Sequence, residues 1–365
     1  MGCSRVTMSD SDYMARAVFH AGRGRGRTSP NPLVGAIVVS DGVVVGQGFH
    51  EHAGEAHAEV HALNRAGDRT YGATLYCTLE PCSHTGRTGP CVVRIVEAGI
   101  ARVVAAVEDP DPRVSGKGFE FLRAHGVRVD VGVGGAAAEA LNQPFFMLMR
   151  HGRPYVILKA AMSLDGCIAE SPGFRTTLTS APADRHAHRF RAEIDAIGVG
   201  AGTILVDDPL LTPRGAYRDR PLTRVVFDRR LRTPPGARLL STRDAGPVMI
   251  VSTADSAGHA ELRRPLEERG AEIVVAGRTM REALVALGER GVSSLVLEGG
   301  SGVHRAAWDE KVVDFVQLYV TPCVLGPQGV KFLDGQRFSF ADLRDRTIAP
   351  LGPDILVEGH VHGAG

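Results

Sequence analysis

Ala53-Gly54-Glu55-Ala56-His57-Ala58-Glu59-Val60, followed by Thr78-Leu79-Glu80-Pro81-Cys82 and then by Cys91, is the stretch from which fold and chemistry can both be read. His57, Cys82 and Cys91 offer one imidazole and two thiolates. A catalytic Zn²⁺ takes three such protein ligands and keeps its fourth tetrahedral position for water, whose pKa it lowers to about 7. Glu59 is not needed as a ligand and can carry a proton from that water to a leaving amine. Residues two apart on a regular helix point about 200° apart, so His57 and Glu59 can share a pocket only at a helix's first turn. The motif therefore predicts a helix over 56–66 that begins beside the metal, and a second over 91–98 that begins at Cys91.

The spacing excludes other zinc chemistries. A zincin needs His-Glu-x-x-His, whereas here Glu59 follows His57 by two and His61 follows it by four. No Cys-x-x-Cys pair of a structural zinc finger occurs among Cys3, Cys77, Cys82, Cys91, Cys167 and Cys323. His-x-Glu, then Pro-Cys, then a further Cys is the order of the zinc deaminases, and implies hydrolytic removal of an amino group from a pyrimidine or purine ring. Eight residues, 83–90, separate Cys82 from Cys91, where nucleoside and tRNA deaminases usually have two. That loop carries His84, Arg87, three hydroxyls and two glycines. Fixed positive charge and approachable backbone N–H groups make it a candidate phosphate cradle, so a phosphorylated substrate is expected.

With Pro30-Asn31-Pro32-Leu33-Val34-Gly35, Gly48-Phe49-His50 and Asp109-Pro110, these segments make the chain resemble the bifunctional riboflavin biosynthesis deaminase/reductase family over nearly its whole length. The resemblance implies an α/β protein of two parts. Residues 1–150 would form a cytidine-deaminase-like α/β/α domain that uses zinc, and 151–365 a dihydrofolate-reductase-like α/β domain that uses NADPH. The implied reactions are deamination of 2,5-diamino-6-(5-phosphoribosylamino)pyrimidin-4(3H)-one and reduction of its ribosyl chain to give 5-amino-6-(5-phosphoribitylamino)uracil. Asn31, His50, His84, Arg87 and Asp109 are implied contacts to the pyrimidine and its ribose phosphate. Gly89 stands where the family commonly has proline, and Asp111 where asparagine more usually follows Asp109-Pro110.

Apolar runs at 34–39, 73–77, 103–107 and 127–131 read as strands of the first half, most of them buried on both faces. The pattern breaks between Asn142 and Pro154, where the domain boundary is placed. Beyond it, runs at 155–160, 196–200, 223–228, 248–251, 273–275, 294–297 and 315–320 alternate with helical segments and predict a mainly parallel sheet. By the same resemblance Ala161, Thr177, Thr203, Asp207 and the turn from Gly300 through Ser301 and Gly302 to Ala306 would line the cofactor site. Arg191, Leu211, Arg214 and Glu298 would hold the substrate, and Lys159 and Asp207 are candidates for proton handling. This half departs further from the family: Arg175 replaces a common serine, Thr177 a tryptophan that flanks the cofactor, and Cys167 a lysine or arginine. Arg175 could serve the substrate phosphate or the cofactor's 2′-phosphate. A deaminase whose reductase-like domain is degenerate or altered in specificity is the alternative these departures leave open.

Composition agrees with an enzyme of small molecules. The chain has 365 residues, enough for two cores, and a formal net charge of +1, which gives no electrostatic case for a nucleic-acid partner. Gly22-Arg23-Gly24-Arg25-Gly26-Arg27 precedes a strand, where a dinucleotide fingerprint should follow one, and reads as a basic loop. No apolar run approaches a membrane span and no disulfide framework is evident. A cytoplasmic homo-oligomer acting on a phosphorylated pyrimidine is expected.

Overall fold

Ser9 begins the first helix as an N-cap, its hydroxyl accepting from Asp12 N while the Asp12 carboxylate accepts from Ser9 N. The structure, a computed structural model, describes residues 8–84, 89–334 and 336–361, and the chain divides after His151 into two compact units. The first unit runs α1 (Asp10–Ala21), β1 (Gly35–Ser40), β2 (Val43–Phe49), α2 (Ala58–Ala66), β3 (Thr74–Cys77), α3 (Cys91–Glu97), β4 (Arg102–Ala105), α4 (Lys117–Ala124), β5 (Arg128–Val131), α5 (Gly135–Leu141) and α6 (Gln143–His151). Its sheet has the order β2-β1-β3-β4-β5. β1 is antiparallel to β2 and β3, whereas β3, β4 and β5 are parallel.

Alternation along β1 sends Ala36 and Val38 to one apolar layer with Ala62, Leu63, Val92, Ile95 and Phe119, and Ile37 and Val39 to the other with Met14, Ala17 and Ala138. Helices thus cover both faces. Two expectations need correction. β5 is an edge strand with Arg128 and Val131 exposed, not one buried on both faces. The stretch taken as a broken boundary contains α6, which tolerates Pro144 because a missing N–H in a helix's first turn costs nothing.

β2 escaped the sequence reading because Gly46 and Gly48 interrupt its apolar run, yet those glycines set the site. A Cβ on Gly46 would lie 2.1 Å from Ala62 O, and one on Gly48 2.5 Å from Ala58 O. The backbone of α2 therefore rests directly on β2, and only residues without a side chain allow it.

The second unit runs β6 (Tyr155–Ser163), β7 (Cys167–Ala169), α7 (Ala181–Glu193), β8 (Ala196–Gly200), α8 (Ala201–Asp207), β9 (Thr223–Phe227), α9 (Arg238–Ser241), β10 (Val248–Thr253), α10 (Ala254–Gly258), α11 (Ala260–Glu268), β11 (Ala271–Ala276), α12 (Met280–Gly288), β12 (Ser294–Gly299), α13 (Ser301–Asp309), β13 (Phe315–Thr321), β14 (Val330–Lys331), β15 (Arg344–Leu351) and β16 (Asp354–His360). Nine strands form one sheet in the order β11-β10-β9-β8-β12-β6-β13-β16-β15. The seven from β11 to β13 are parallel, as the alternation predicts, and β16 and β15 add an antiparallel edge. A buried pair fastens the entry to this sheet: Arg153 donates to both carboxylate oxygens of Asp314 at 2.7 and 2.8 Å, and Val156 N donates to the same carboxylate at 2.8 Å. Among the described residues no helix is long and apolar enough to cross a membrane.

Gly48→Val should lift α2 from β2 and lower stability to unfolding by about 1–3 kcal/mol or more. Gly22→Ala, at a helical φ of −57° with open space around it, should leave the denaturation midpoint unchanged, and equal midpoints for all three proteins would refute the close-approach argument.

Candidate metal centre and cofactor cavity

His57 is the N-cap of α2, with an extended backbone at φ −74° and ψ 163°, and Glu59 falls in the helix's first turn. This entry to the helix turns both side chains into one pocket. Cys82 follows β3 and Cys91 is the first residue of α3. The ligand atoms of His57, Cys82 and Cys91 all lie within 4.8 Å of one another. His57 Nδ1 is 3.3 Å from Cys91 Sγ and 3.5 Å from Cys82 Sγ, and Cys91 N donates to Cys82 Sγ at 3.4 Å. Nitrogen and sulfur ligands of a tetrahedral zinc, at about 2.0 and 2.3 Å from the metal, stand about 3.6 Å apart. The donor set and its spacing fit zinc. Hydrogen bonds from Cys91 and then His57 hold the Cys82 thiol down at about 4, and the same thiolate pushes His57 up to about 9. One proton on His57 and one on buried Cys91 are what a divalent cation would displace.

Glu59 is 3% exposed, and its Oε2 has no hydrogen-bond partner. Burial raises its pKa, an effect the nearby His57 opposes. The His50 ring meets His57 edge-on at 5.4 Å. Its Nδ1 lies 3.2 Å from the Ala56 carbonyl and its Nε2 3.2 Å from Asn31 Nδ2, so Nδ1 carries the proton and Nε2 accepts from the amide. Burial keeps this ring neutral. Asp109 is also buried, which pushes it up to about 7, with the negative field of Cys82 adding to the effect. His84 is exposed where the loop leaves Cys82, and Arg87 lies outside the described residues. Asn31, His50 and Asp109 therefore gather around the cluster, with His84 at its margin.

Glu80 was missed as a functional position. Its carboxylate accepts from Asp109 N at 3.2 Å, Gly116 N at 2.9 Å, Gly118 N at 2.8 Å and Phe119 N at 3.3 Å. It thereby ties the segment before Cys82 to the one carrying Asp109. The signal was an acidic residue at the end of an apolar strand, immediately before Pro81-Cys82. The unusual Asp111 turns its carboxylate onto Arg113 Nε at 2.9 and 3.0 Å and spends its backbone N–H on Asp109 Oδ1 at 2.9 Å.

In the second unit a cavity of about 1190 Å³ opens at the C-terminal ends of the parallel strands, and Lys159, Ala161, Arg175, Thr203, Asp207, Glu298, Gly300, Ser301 and Gly302 line it. Gly300 adopts φ +38°, with Thr203 Oγ1 3.4 Å from where its Cβ would be. Asp207 Oδ1 has no partner, and burial raises its pKa while Arg175 opposes. Burial would raise Glu298 too, but Arg191 and Lys159 outweigh it and hold the carboxylate at about 2. Arg191 Nε donates to Glu298 Oε1 at 2.6 Å and its second arm to Oε2, while Lys159 Nζ stands 3.8 Å from Oε2.

Thr177 stands apart from that lining. Thr176 Oγ1 accepts from Glu170 N at 3.0 Å, and this loop presents Arg175 and Thr176 to the cavity while Thr177 is exposed outside its lining. Arg191, Leu211 and Arg214 also lie outside the lining. Arg191 acts through Glu298, and its other arm donates to Thr212 O at 3.2 Å, next to Leu211, a buried residue at the costly φ of 55°. Arg214 N and Arg191 both reach His188 Nδ1, at 3.1 and 3.3 Å. Sequence reasoning missed Arg229, Arg230 and Arg232 after β9 and Arg278 after β11, which line the cavity with Ser252 and Thr253. Arginines just past a strand's end were the available signal.

Residues 7–107 match the family model for the cytidine and deoxycytidylate deaminase zinc-binding region, and residues 154–357 match that for the RibD C-terminal domain. The riboflavin biosynthesis protein RibD of Bacillus amyloliquefaciens is 41% identical over 351 residues, covering 94% of each chain. RibD of Acinetobacter baumannii superposes with a TM-score of 0.87 at 34% identity, over 96% of this chain and 98% of that one. A diaminohydroxyphosphoribosylaminopyrimidine deaminase/5-amino-6-(5-phosphoribosylamino)uracil reductase from Thermotoga maritima does so with a TM-score of 0.82 at 32% identity, with the same coverage.

The purified protein should carry one zinc per chain, and Cys82→Ser should release most of it, as measured by elemental analysis. Undiminished zinc in that variant would place the metal elsewhere.

Proposed function

The chain belongs to the RibD family of riboflavin biosynthesis proteins, and from that membership we propose that residues 1–150 deaminate 2,5-diamino-6-(5-phosphoribosylamino)pyrimidin-4(3H)-one and that 151–365 reduce the ribosyl chain of the product with NADPH. The enzyme joins a deaminase and a reductase of riboflavin biosynthesis in one polypeptide. The observation that carries the deaminase reading is the buried carboxylate of Glu59, its Oε2 without a hydrogen-bond partner, beside the His57, Cys82 and Cys91 cluster.

Zinc held by His57 Nδ1, Cys82 Sγ and Cys91 Sγ would supply a water of lowered pKa. Glu59 then does the proton work: Oε2 takes one proton from the attacking water and passes it to the ring nitrogen, then takes the second proton of the same oxygen and gives it to the departing amine, which leaves as ammonia. Its burial favours the protonated form, which suits a group that must give the proton back. Asn31 and neutral His50, locked to each other and to Ala56 O, supply fixed polar groups for the pyrimidine, and Asp109 is close enough to neutrality to donate as well as accept. His84 and Arg87 are assigned to the ribose phosphate.

For the reduction, NADPH would supply hydride to C1′ of the opened ribose. Lys159, buried against Glu298, is the proton donor, and Asp207 is the second ionisable group of the cavity. Arg229, Arg230, Arg232 and Arg278 support NADPH over NADH, because forked permanent cations suit the 2′-phosphate that only NADPH carries. Arg175 joins the same wall. A degenerate reductase-like domain is disfavoured, since the cavity retains the Lys159, Glu298 and Arg191 arrangement intact. The free thiols of Cys77, Cys82, Cys91, Cys167 and Cys323 suit a reducing cytoplasm.

Glu59→Gln keeps the shape of the side chain and should lower ammonia release by about 10²- to 10⁴-fold, with zinc content and reduction of supplied deaminated substrate both retained. Loss of both activities in a folded protein would contradict two independent sites. Arg229→Ala combined with Arg278→Ala should cut kcat/KM for NADPH by about ten- to a hundredfold or more and leave that for NADH nearly unchanged. An equal loss with both cofactors would remove the 2′-phosphate assignment.

A further inference from the structure

Lys159 begins a polar row across the reductase sheet. Gln317 is its register partner on β13, and Glu358 is the partner of Gln317 on β16. Gln317 Nε2 donates to Glu358 Oε1 at 2.8 Å, which leaves Gln317 Oε1 to accept from the Tyr319 hydroxyl at 3.1 Å. On its other side that hydroxyl meets His186 Nδ1 of α7 at 2.9 Å. Tyr319 is fully buried, so both hydrogen bonds hold one ring orientation. Lys159 Nζ lies over that ring, 5.3 Å from its centroid. We propose that Tyr319 is a positioning residue for the reduction: its ring face, fixed from behind by His186 and Gln317, holds the Lys159 ammonium at the cavity wall against Glu298.

The proposal rests on the reading of Lys159 as proton donor. Burial works against that charge. The groups facing it are Glu298 from β12 and Asp184 from α7, which favour the ammonium, Arg191 from α7, which disfavours it, and His304 from α13, a buried ring kept neutral at about 4. The tyrosine face adds to the favourable side because an aromatic quadrupole attracts a cation. Removing the ring should therefore let Lys159 lose its proton at lower pH.

The test is kcat for NADPH oxidation with deaminated substrate across pH, in the full-length protein. Wild type should show an alkaline limb. Tyr319→Leu should move that limb down by about half to one and a half pH units and lower kcat above it more than it changes KM. Tyr319→Phe keeps the ring but frees it of both hydroxyl bonds, and should move the limb by clearly less than Tyr319→Leu does, even if thermal unfolding shows both variants to be less stable. An unmoved limb in Tyr319→Leu, or an equal shift in Tyr319→Phe, overturns the positioning role. A wild type that reduces substrate without an alkaline limb overturns Lys159 as donor, and a wild type that oxidises no NADPH overturns the reductase reading itself.

Discussion

Two side chains two residues apart, His57 and Glu59, cannot face one pocket from within a helix, and the first unit is organised around that constraint. The helix must start between them. His57 keeps an extended backbone as N-cap while Glu59 is already in the first turn, so the approach of α2 to the sheet decides where both point. Gly46 and Gly48 on β2 allow that approach. A methyl group on Gly48 would lie 2.5 Å from Ala58 O, so the helix start, and the imidazole with it, would have to shift.

The other two ligands are placed by independent means. Cys91 heads α3, and its backbone N–H points at Cys82 Sγ. The segment before Cys82 is held by Glu80, whose carboxylate satisfies four backbone N–H groups of the 109–119 segment. A buried carboxylate costs a great deal unless its oxygens are fully used, and here they are. Glu59, on the other side of β3 in sequence but close to the same thiolates, has the opposite environment, with an oxygen left without a partner. Two glutamates in one domain thus differ in how completely their oxygens are satisfied, Glu80 as a brace and Glu59 with an oxygen free for the proton role proposed for it.

The parts legible in the sequence were those carried by short-range patterns. The His57, Cys82 and Cys91 cluster, the helix start at Ala58 and the parallel strands of the second unit follow from spacing and from apolar runs, most of which are buried on both faces, with β11 half exposed. β2 was not legible because its glycines serve a neighbour 10 to 20 residues on in the chain, roughly the separation of strand and crossing helix. β15 was not, because Arg344-Asp345-Arg346-Thr347 lies exposed at a sheet edge, where polar residues are favoured. The arginines after β9 and β11 were not, because only the parallel register brings separate strand ends to one cavity. Resemblance pointed to Thr203, Asp207 and Gly300, which line the cavity, and to Thr177, which its loop leaves exposed outside that lining.

That loop shows how the second site changes character without losing its framework. Where an indole would give the cofactor an apolar wall, the Thr176 hydroxyl anchors the turn to Glu170 N and delivers Arg175 instead. The guanidinium acts on the unpartnered carboxyl of Asp207 across the same cavity. Arg229, Arg230, Arg232 and Arg278 add to the cationic lining, while the inner wall holds its charge in the compensated group of Arg191, Glu298 and Lys159. Asp228, 4.0 Å from Arg232, and the cavity-lining Asp255, Glu310 and Asp334 answer part of that positive charge, so the strand ends carry a mixed but arginine-rich wall. Arginines gathered at the strand ends, away from the compensated inner group, would favour the phosphate end of a ligand there, a contribution that does not depend on an aromatic wall.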